Sequence, residues 1–357
     1  MANMNFGTPK FFPDVIAYHR GRGAVTGSVI ATGGSGATAT RGLQSGTDHE
    51  LFNLSPLNTV SFDTSGDTAS QVLINVALSS ATLKTNYIAI LNHNLATASG
   101  KIRIFAGNLL SDVASVDGSA AETADIDWSA VTVSEVINAD TLTVGGSNMS
   151  MVIQPDTDGT TIISFTEQSL RYWGIQFEGA TGGSGNDTDE TWGSTDLKLG
   201  GIMMGESFEM PHNPDLSATR SIMYDQVKVQ ESSGGQRYGI ATNIGRSLGS
   251  PFSLATTNQN NHGGRIAYDL NFSYVNSTDL MPDEYGTLDT DDDQVIGDVW
   301  NITDGPTRPF IFTIDKDSTG SNAESEYIFA RFAQNSFNME AVAVNTFNVG
   351  MRIEEEF

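Results

Sequence analysis

Apolar positions in this chain recur at a spacing of two far more often than at the three-to-four spacing of a helix. Short runs rich in β-branched and aromatic residues follow one another, each closed by Gly, Asn, Asp or Ser. Those before the middle of the chain are SQVLINVAL (70–78), NYIAILNH (86–93), KIRIFAG (101–107), TIISFTE (161–167), YWGIQFEG (172–179) and LKLGGIMMG (197–205). Beyond it come MYDQVKVQE (223–231), QRYGIA (236–241), RIAYDLNFSYV (265–275), RPFIFTID (308–315), EYIFARFA (326–333) and the stretch from Phe337 to Ile353. The clearest alternation places Ile266, Tyr268, Leu270, Phe272 and Tyr274 on one face and Ala267, Asp269, Asn271 and Ser273 on the other, as in a half-buried antiparallel strand. Helix is expected in two places only: 277–288, with Ser277 or Thr278 as N-cap, and a turn within 120–131. The pattern predicts an all-β protein with few short helices.

Punctuation between the runs divides the chain. Residues 1–23 read as an N-terminal arm too exposed-looking to fold alone, residues 24–205 as a first β-sandwich domain, and residues 206–357 as a second. The connector ESFEMPHNPDLSATR opens the second part, and Ser232, Ser233, Gly234 and Gly235 join two of its strands with the residues a hairpin turn requires. The stretch 108–160 and the polar loop 179–196 read as insertions into the first domain. No 20–50-residue repeat is present, which disfavours propellers and solenoids.

Composition narrows the possible functions. The 357 residues hold 43 acids against 18 bases, a formal net charge of −25, and no cysteine. That excludes disulfide scaffolds, thiolate zinc and cysteine nucleophiles, and it argues against a grip on a nucleic-acid backbone. No apolar run approaches the roughly 18 residues of a spanning helix, so membrane insertion is not expected, and the opening MANMNFGTPKFFPDV lacks the basic head and apolar core of a secretory signal. The charge is uneven: residues 1–100 carry five acids and five bases, so the whole imbalance lies beyond them. A neutral part facing partners and an acidic mass facing water would produce such a split, as would acidity kept for solubility.

Candidate chemistry is thin. GSGATA (34–39) matches a dinucleotide-binding spacing, but a glycine-broken segment follows it where the motif needs a helix. Asp289, Asp291 and Asp293 begin like an EF-hand loop, yet Gln294 stands where Gly belongs and Trp300 where the bidentate Glu belongs. A Ca2+ site of another kind, from these residues or from Asp156 and Asp158, stays open. The five histidines show no zinc spacing, and no nucleophile elbow occurs. No catalytic, cofactor-binding or metal-binding residues are assigned, and the chain is not expected to be an enzyme. Among the four tryptophans, Trp173 reads as core, whereas Trp192, inside GNDTDETWGSTD, is the ligand-contact candidate. In the arm, Phe11, Phe12, Tyr18, Arg20 and Arg22 are candidates for contact with a neighbouring subunit.

The succession NYIAILNHNL, KIRIFAG, LRYWGIQFEGA and DLKLGGIMMGESFEM resembles a galactose-binding-like (discoidin-type) jelly roll, with Arg171, Tyr172 and Trp173 at that family's late-strand aromatic element. The order of arm, such a domain, and a second β domain closing on aromatic strands and an acidic tail is similar to structural proteins of tailed bacteriophages. The resemblance implies a virion component assembled in the bacterial host cytoplasm. Its expected place is a tail-tip or baseplate ring subunit of the distal-tail kind, homo-oligomeric and bound to other virion proteins. The alternative it leaves is a receptor- or glycan-binding module on a head fibre or tail appendage, reaching host-surface glycan. If the neutral N-terminal part packs against partners, deleting residues 1–23 is expected to impair assembly more than folding.

Overall fold

Successive residues of a strand face opposite ways, and in the strand Lys10–Pro13 this divides the chain. Phe11 lies in an aromatic cluster with Phe208, Phe310, Phe312 and Phe332, at ring separations of 5.1 to 6.4 Å. Phe12 instead stacks edge-on against Tyr87 at 5.1 Å. A computed structural model describes residues 6–22, 29–32, 43–47, 49–68, 71–77, 82–109, 113, 126–139, 143–144, 151–182, 190–223, 227–241, 265–282, 294–317 and 327–356. It resolves into two compact units: an inserted unit, Phe12–Ser207, and a flanking unit made of Met1–Phe11 with Phe208–Phe357. The segment expected to stand apart as an arm therefore contributes to both cores.

The chain is predominantly β, with every registered strand pair antiparallel. In the inserted unit a six-stranded sheet runs in the order Val29–Thr32, Gln71–Ala77, Tyr172–Gly179, Gly100–Gly107, Met151–Ile153, Thr143–Val144. A four-stranded sheet runs Gly201–Gly205, Leu83–His93, Gly159–Leu170, Val133–Ile137. Phe165 of the smaller sheet lies 5.9 Å from Trp173 of the larger and 5.2 Å from Trp128, whose indole N–H donates to Ile104 O. These rings fill a sandwich core lined by Ile102, Ile104, Ile175 and Phe177.

Two expectations for this unit change. The run LKLGGIMMG is two strands: Leu197–Leu199 joins a three-stranded sheet with Val60–Phe62 and Leu43–Ser45, while Gly201–Gly205 joins the four-stranded one. Gly200 makes the step, because a side chain there would meet Pro56 O and Asn92 Cβ. The stretch 108–160 is in part sheet, since Met151–Ile153 pairs with Ile102–Ile104 and Val133–Ile137 lies beside Gly159–Leu170. Alternation is weak in such short strands, and pairing supplies their order.

The arm holds a helix that sequence reading missed. Asp14 caps Val15–Gly21, accepting from Ile16 N at 3.1 Å and Ala17 N at 3.2 Å, and Tyr87 Oη donates to Pro13 O at 2.7 Å. Seven residues are too few for an apolar period to register.

The flanking unit is built on one eight-stranded sheet. Its order is Phe208–Glu209, Lys10–Pro13, Phe310–Thr313, Tyr327–Phe332, Thr346–Glu355, Arg265–Asn276, Thr219–Met223, with Met339–Ala343 also paired to Thr346–Glu355. Among the described residues its aromatic cluster is covered by the turn of helix Val295–Asn301, where Trp300 sits 5.0 Å from Phe332. The helix expected over 277–288 is Ser277–Leu280, and its cap is Asn276, one residue earlier than predicted. Within 120–131, Trp128–Ala130 forms the expected short turn, capped by Asp127.

The strand Arg265–Asn276 buries Ile266, Tyr268, Leu270 and Phe272 as its alternation predicts, but Tyr274 is 75% exposed. A bulge between Phe272 and Val275 shifts the register, gives Tyr274 a φ of +62°, and turns Val275 inward in its place. The hairpin of Val227–Glu231 and Arg237–Ala241 forms a two-stranded sheet closed at Gly235, with φ +81°.

Candidate functional site

A buried grouping of ionisable side chains lies on one face of the six-stranded sheet. Strand pairing sets Arg103 opposite Gln176 and Lys101 opposite Glu178, while their neighbours Ile102, Ile104, Ile175 and Phe177 face the sandwich core. All four polar residues are nonetheless buried. Arg103 Nη2 donates to Glu178 Oε1 at 3.0 Å, Gln176 Nε2 donates to Glu178 Oε2 at 3.1 Å, and Lys101 Nζ lies 3.1 Å from Glu178 Oε1. Lys101 also pairs with Glu190. Burial pushes the Lys101 ammonium down, but Glu178 and Glu190 outweigh it and hold the group above its ordinary range. Two cations face two anions, so the cluster is neutral, and both Glu178 oxygens are occupied as acceptors. Such an array ties strands together; stripping one partner would leave a buried charge. Its signal in the sequence was the match of Lys-x-Arg in one strand to Gln-x-Glu in another, visible only once the two strands are known to pair.

Glu190 arrives with Trp192, and this overturns the ligand-contact reading of that tryptophan. Trp192 is 2% exposed. Gly100 and Gly179 are paired at the ends of their strands. A Cβ on Gly100 would come 2.6 Å from Trp192 Cζ3, and one on Gly179 would come 2.5 Å from Thr191 C. These glycines make the bed on which residues 190–193 lie. Trp192 N donates to Asp67 O at 2.9 Å, Gly193 N to Ala98 O at 2.8 Å, and Thr181 and Thr191 exchange a pair of backbone bonds. The polar composition of the loop hid a tryptophan that docks through backbone bonds rather than through an apolar run.

The five arm candidates are not brought together as a docking surface. Phe11, Phe12 and Tyr18 are buried, Arg20 is half-buried, and Arg22 is exposed. Arg20 stacks over Phe52 at 5.0 Å and lies 3.3 Å from His49 Nδ1, and Arg22 covers the Tyr18 ring at 3.5 Å. Their aromatic partners are in the same unit, a use that residue types alone do not distinguish from contact with a neighbour. Trp173 is fully buried, and Arg171 lies over Tyr172 at 5.0 Å.

Of the ion-site candidates, Asp158 accepts from both the amide and the hydroxyl of Thr97. The Asp289–Asp293 run and GSGATA lie outside the described residues. Among the described residues no group of three or more His, Asp or Glu side chains is placed to hold a metal ion, and no helix is long and apolar enough to cross a membrane. Exposed large apolar side chains are unevenly placed: Leu216, Ile222, Val229, Tyr238, Tyr274, Val342 and Val344 belong to the flanking unit, against Leu57 and Leu109 in the inserted one. Comparison with protein-family models, with curated proteins and with solved structures returned no match.

Proposed function

We propose that this chain is a structural subunit of a tailed-phage virion, a tail-tip or baseplate ring component that works by assembly and not by catalysis. The observation that carries the assembly reading is the uneven placing of exposed large apolar residues among the described residues, seven on the flanking unit against two on the inserted one. Single exposed apolar residues are ordinary, but seven on one unit leave surface that association would cover. The placement in a virion rests on the resemblance in strand order, as does the galactose-binding-like jelly roll proposed for the sandwich of residues 24–205. The antiparallel sandwich of the inserted unit is compatible with it. Its charged cluster is internally neutralised and so offers no free acid–base pair. The glycan-binding alternative had Trp192 as its contact, and that side chain is buried.

Negative-stain imaging and mass measurement of the purified full chain test this reading. Closed rings of uniform size are the expected result. Monomers at every concentration overturn it.

A further inference from the structure

From the proposed ring, which this step presupposes, we infer that the subunits are joined by a sheet extension in which the hairpin strand Val227–Glu231 of one copy pairs antiparallel with the free edge of Met339–Ala343 in the next.

Among the described residues, both strands have an open edge. Val227–Glu231 pairs with Arg237–Ala241, and Met339–Ala343 pairs with Thr346–Glu355, with no other strand beside either among the described residues. Open edges present unpaired amides and carbonyls that a second chain can complete. Neither strand contains proline, while Lys228 and the register shift between Ala341 and Ala343 restrict pairing to a short stretch. A lone two-stranded hairpin is marginally stable in water, and residues 228–239 are exposed throughout. Apolar side chains nevertheless sit there, with Val229 at 63% and Tyr238 at 51% exposure. Opposite Val229 stands Gly239, where an added Cβ would meet no described atom within 4 Å.

The receiving edge is likewise exposed and apolar. Val342 is 41% and Val344 90% exposed, and the bulged Tyr274 lies at the same end of the sheet, where Asn276 pairs with Thr346. Charge completes the match. The hairpin holds Lys228 and Arg237 against Glu231, a net positive element in a chain of net charge −25. Arg237 is paired with Glu231 at 3.2 Å, leaving Lys228 as the exposed cation with no ion pair among the described residues. Glu340, on the receiving strand, is the corresponding exposed anion without one. Antiparallel pairing with Lys228 opposite Glu340 sets Val229 opposite Met339 and Val227 opposite Ala341, leaves Val342 and Val344 beyond the paired rungs, and brings the two charges into one rung, the arrangement in which opposite charges stabilise a sheet. Donor and acceptor are different patches, so the contact is head-to-tail and generates a ring where its rotation closes.

Charge reversal tests this on the full chain, with mass measured by light scattering over a concentration series and folding followed by circular dichroism. Lys228→Glu and Glu340→Lys, both at exposed positions, should each weaken association by about tenfold or more without changing the spectrum, because like charges then oppose one another. The double variant should recover it. If wild type forms rings and Lys228→Glu forms them equally well, the hairpin contact is wrong while the ring reading stands. If the double variant does no better than the singles, the proposed register is wrong. If wild type is monomeric at all concentrations, the ring reading falls and this contact with it.

Discussion

The imidazole of His93 donates from Nε2 to Thr161 Oγ1 at 2.9 Å, while its Nδ1 accepts from Leu95 N at 3.3 Å; Thr161 Oγ1 passes a bond on to Asn138 O at 3.2 Å. A proton added at Nδ1 would face the Leu95 N–H donor, so this chain of bonds holds the ring neutral. Burial pushes its pKa from 6.5 down to about 4, against a smaller opposing pull from Asp158. Above pH 6.5 the ring is neutral both folded and unfolded, and folding is indifferent to its titration. Below that, the unfolded chain takes up a proton that the folded one refuses. Stability should therefore fall by about 1.4 kcal/mol per pH unit, to a total near 3 kcal/mol by pH 4. Urea denaturation at pH 7 and pH 4.5 should show a smaller loss for His93→Gln than for wild type, and parallel losses would contradict this. Nothing in the sequence distinguished His93 from the other four histidines, because its neutrality comes from partners at positions 95 and 161.

At the scale of elements, legibility followed length. The twelve residues of Arg265–Asn276 announced themselves by alternation, and the structure departs from the pattern only at the Tyr274 bulge, where a non-local register decides which residue turns inward. The seven-residue helix Val15–Gly21 left no such signal. It depends on Asp14, which accepts two helix amides and also the Met204 amide at 3.4 Å. Asp14→Ala should destabilise the protein by roughly 1–2 kcal/mol, the usual loss for a capping side chain. Chemical denaturation measures it, and an unchanged midpoint would show that the cap is idle.

For the whole molecule, the position of residues 6–11 changes the expected outcome of a truncation. Phe11 packs among four aromatic rings, Met210 N donates to Pro9 O at 3.0 Å, Lys316 N to Thr8 O at 2.9 Å, and Lys10 and Lys316 both bind Glu209. Truncating a buried phenylalanine alone costs about 3–5 kcal/mol. Deleting residues 1–11 should thus loosen the fold of the flanking unit before assembly is even reached, reversing the order expected for a free arm. Hydrogen exchange reads it: amides of Phe310–Thr313 should lose protection while those of Gly100–Gly107 keep theirs. Unchanged protection in Phe310–Thr313 would restore the arm reading. The charge split at residue 100 likewise coincides with neither unit, since the first hundred residues are divided between both.

What the sequence determined by itself is the strand-rich character of the chain, the hairpin turn at Gly235, and the burial of Trp173. These rest on local alternation, turn chemistry and residue type, all of which act within a few positions. Only the tertiary structure decided that Phe11 and Phe12 serve different cores, that Trp192 beds on Gly100 and Gly179, and that Lys101, Arg103, Glu178 and Glu190 neutralise one another inside a sheet. Each of these joins residues far apart in the chain. Burial of a polar or aromatic group is set by what pairs across from it, and that partner is chosen by strand order and register.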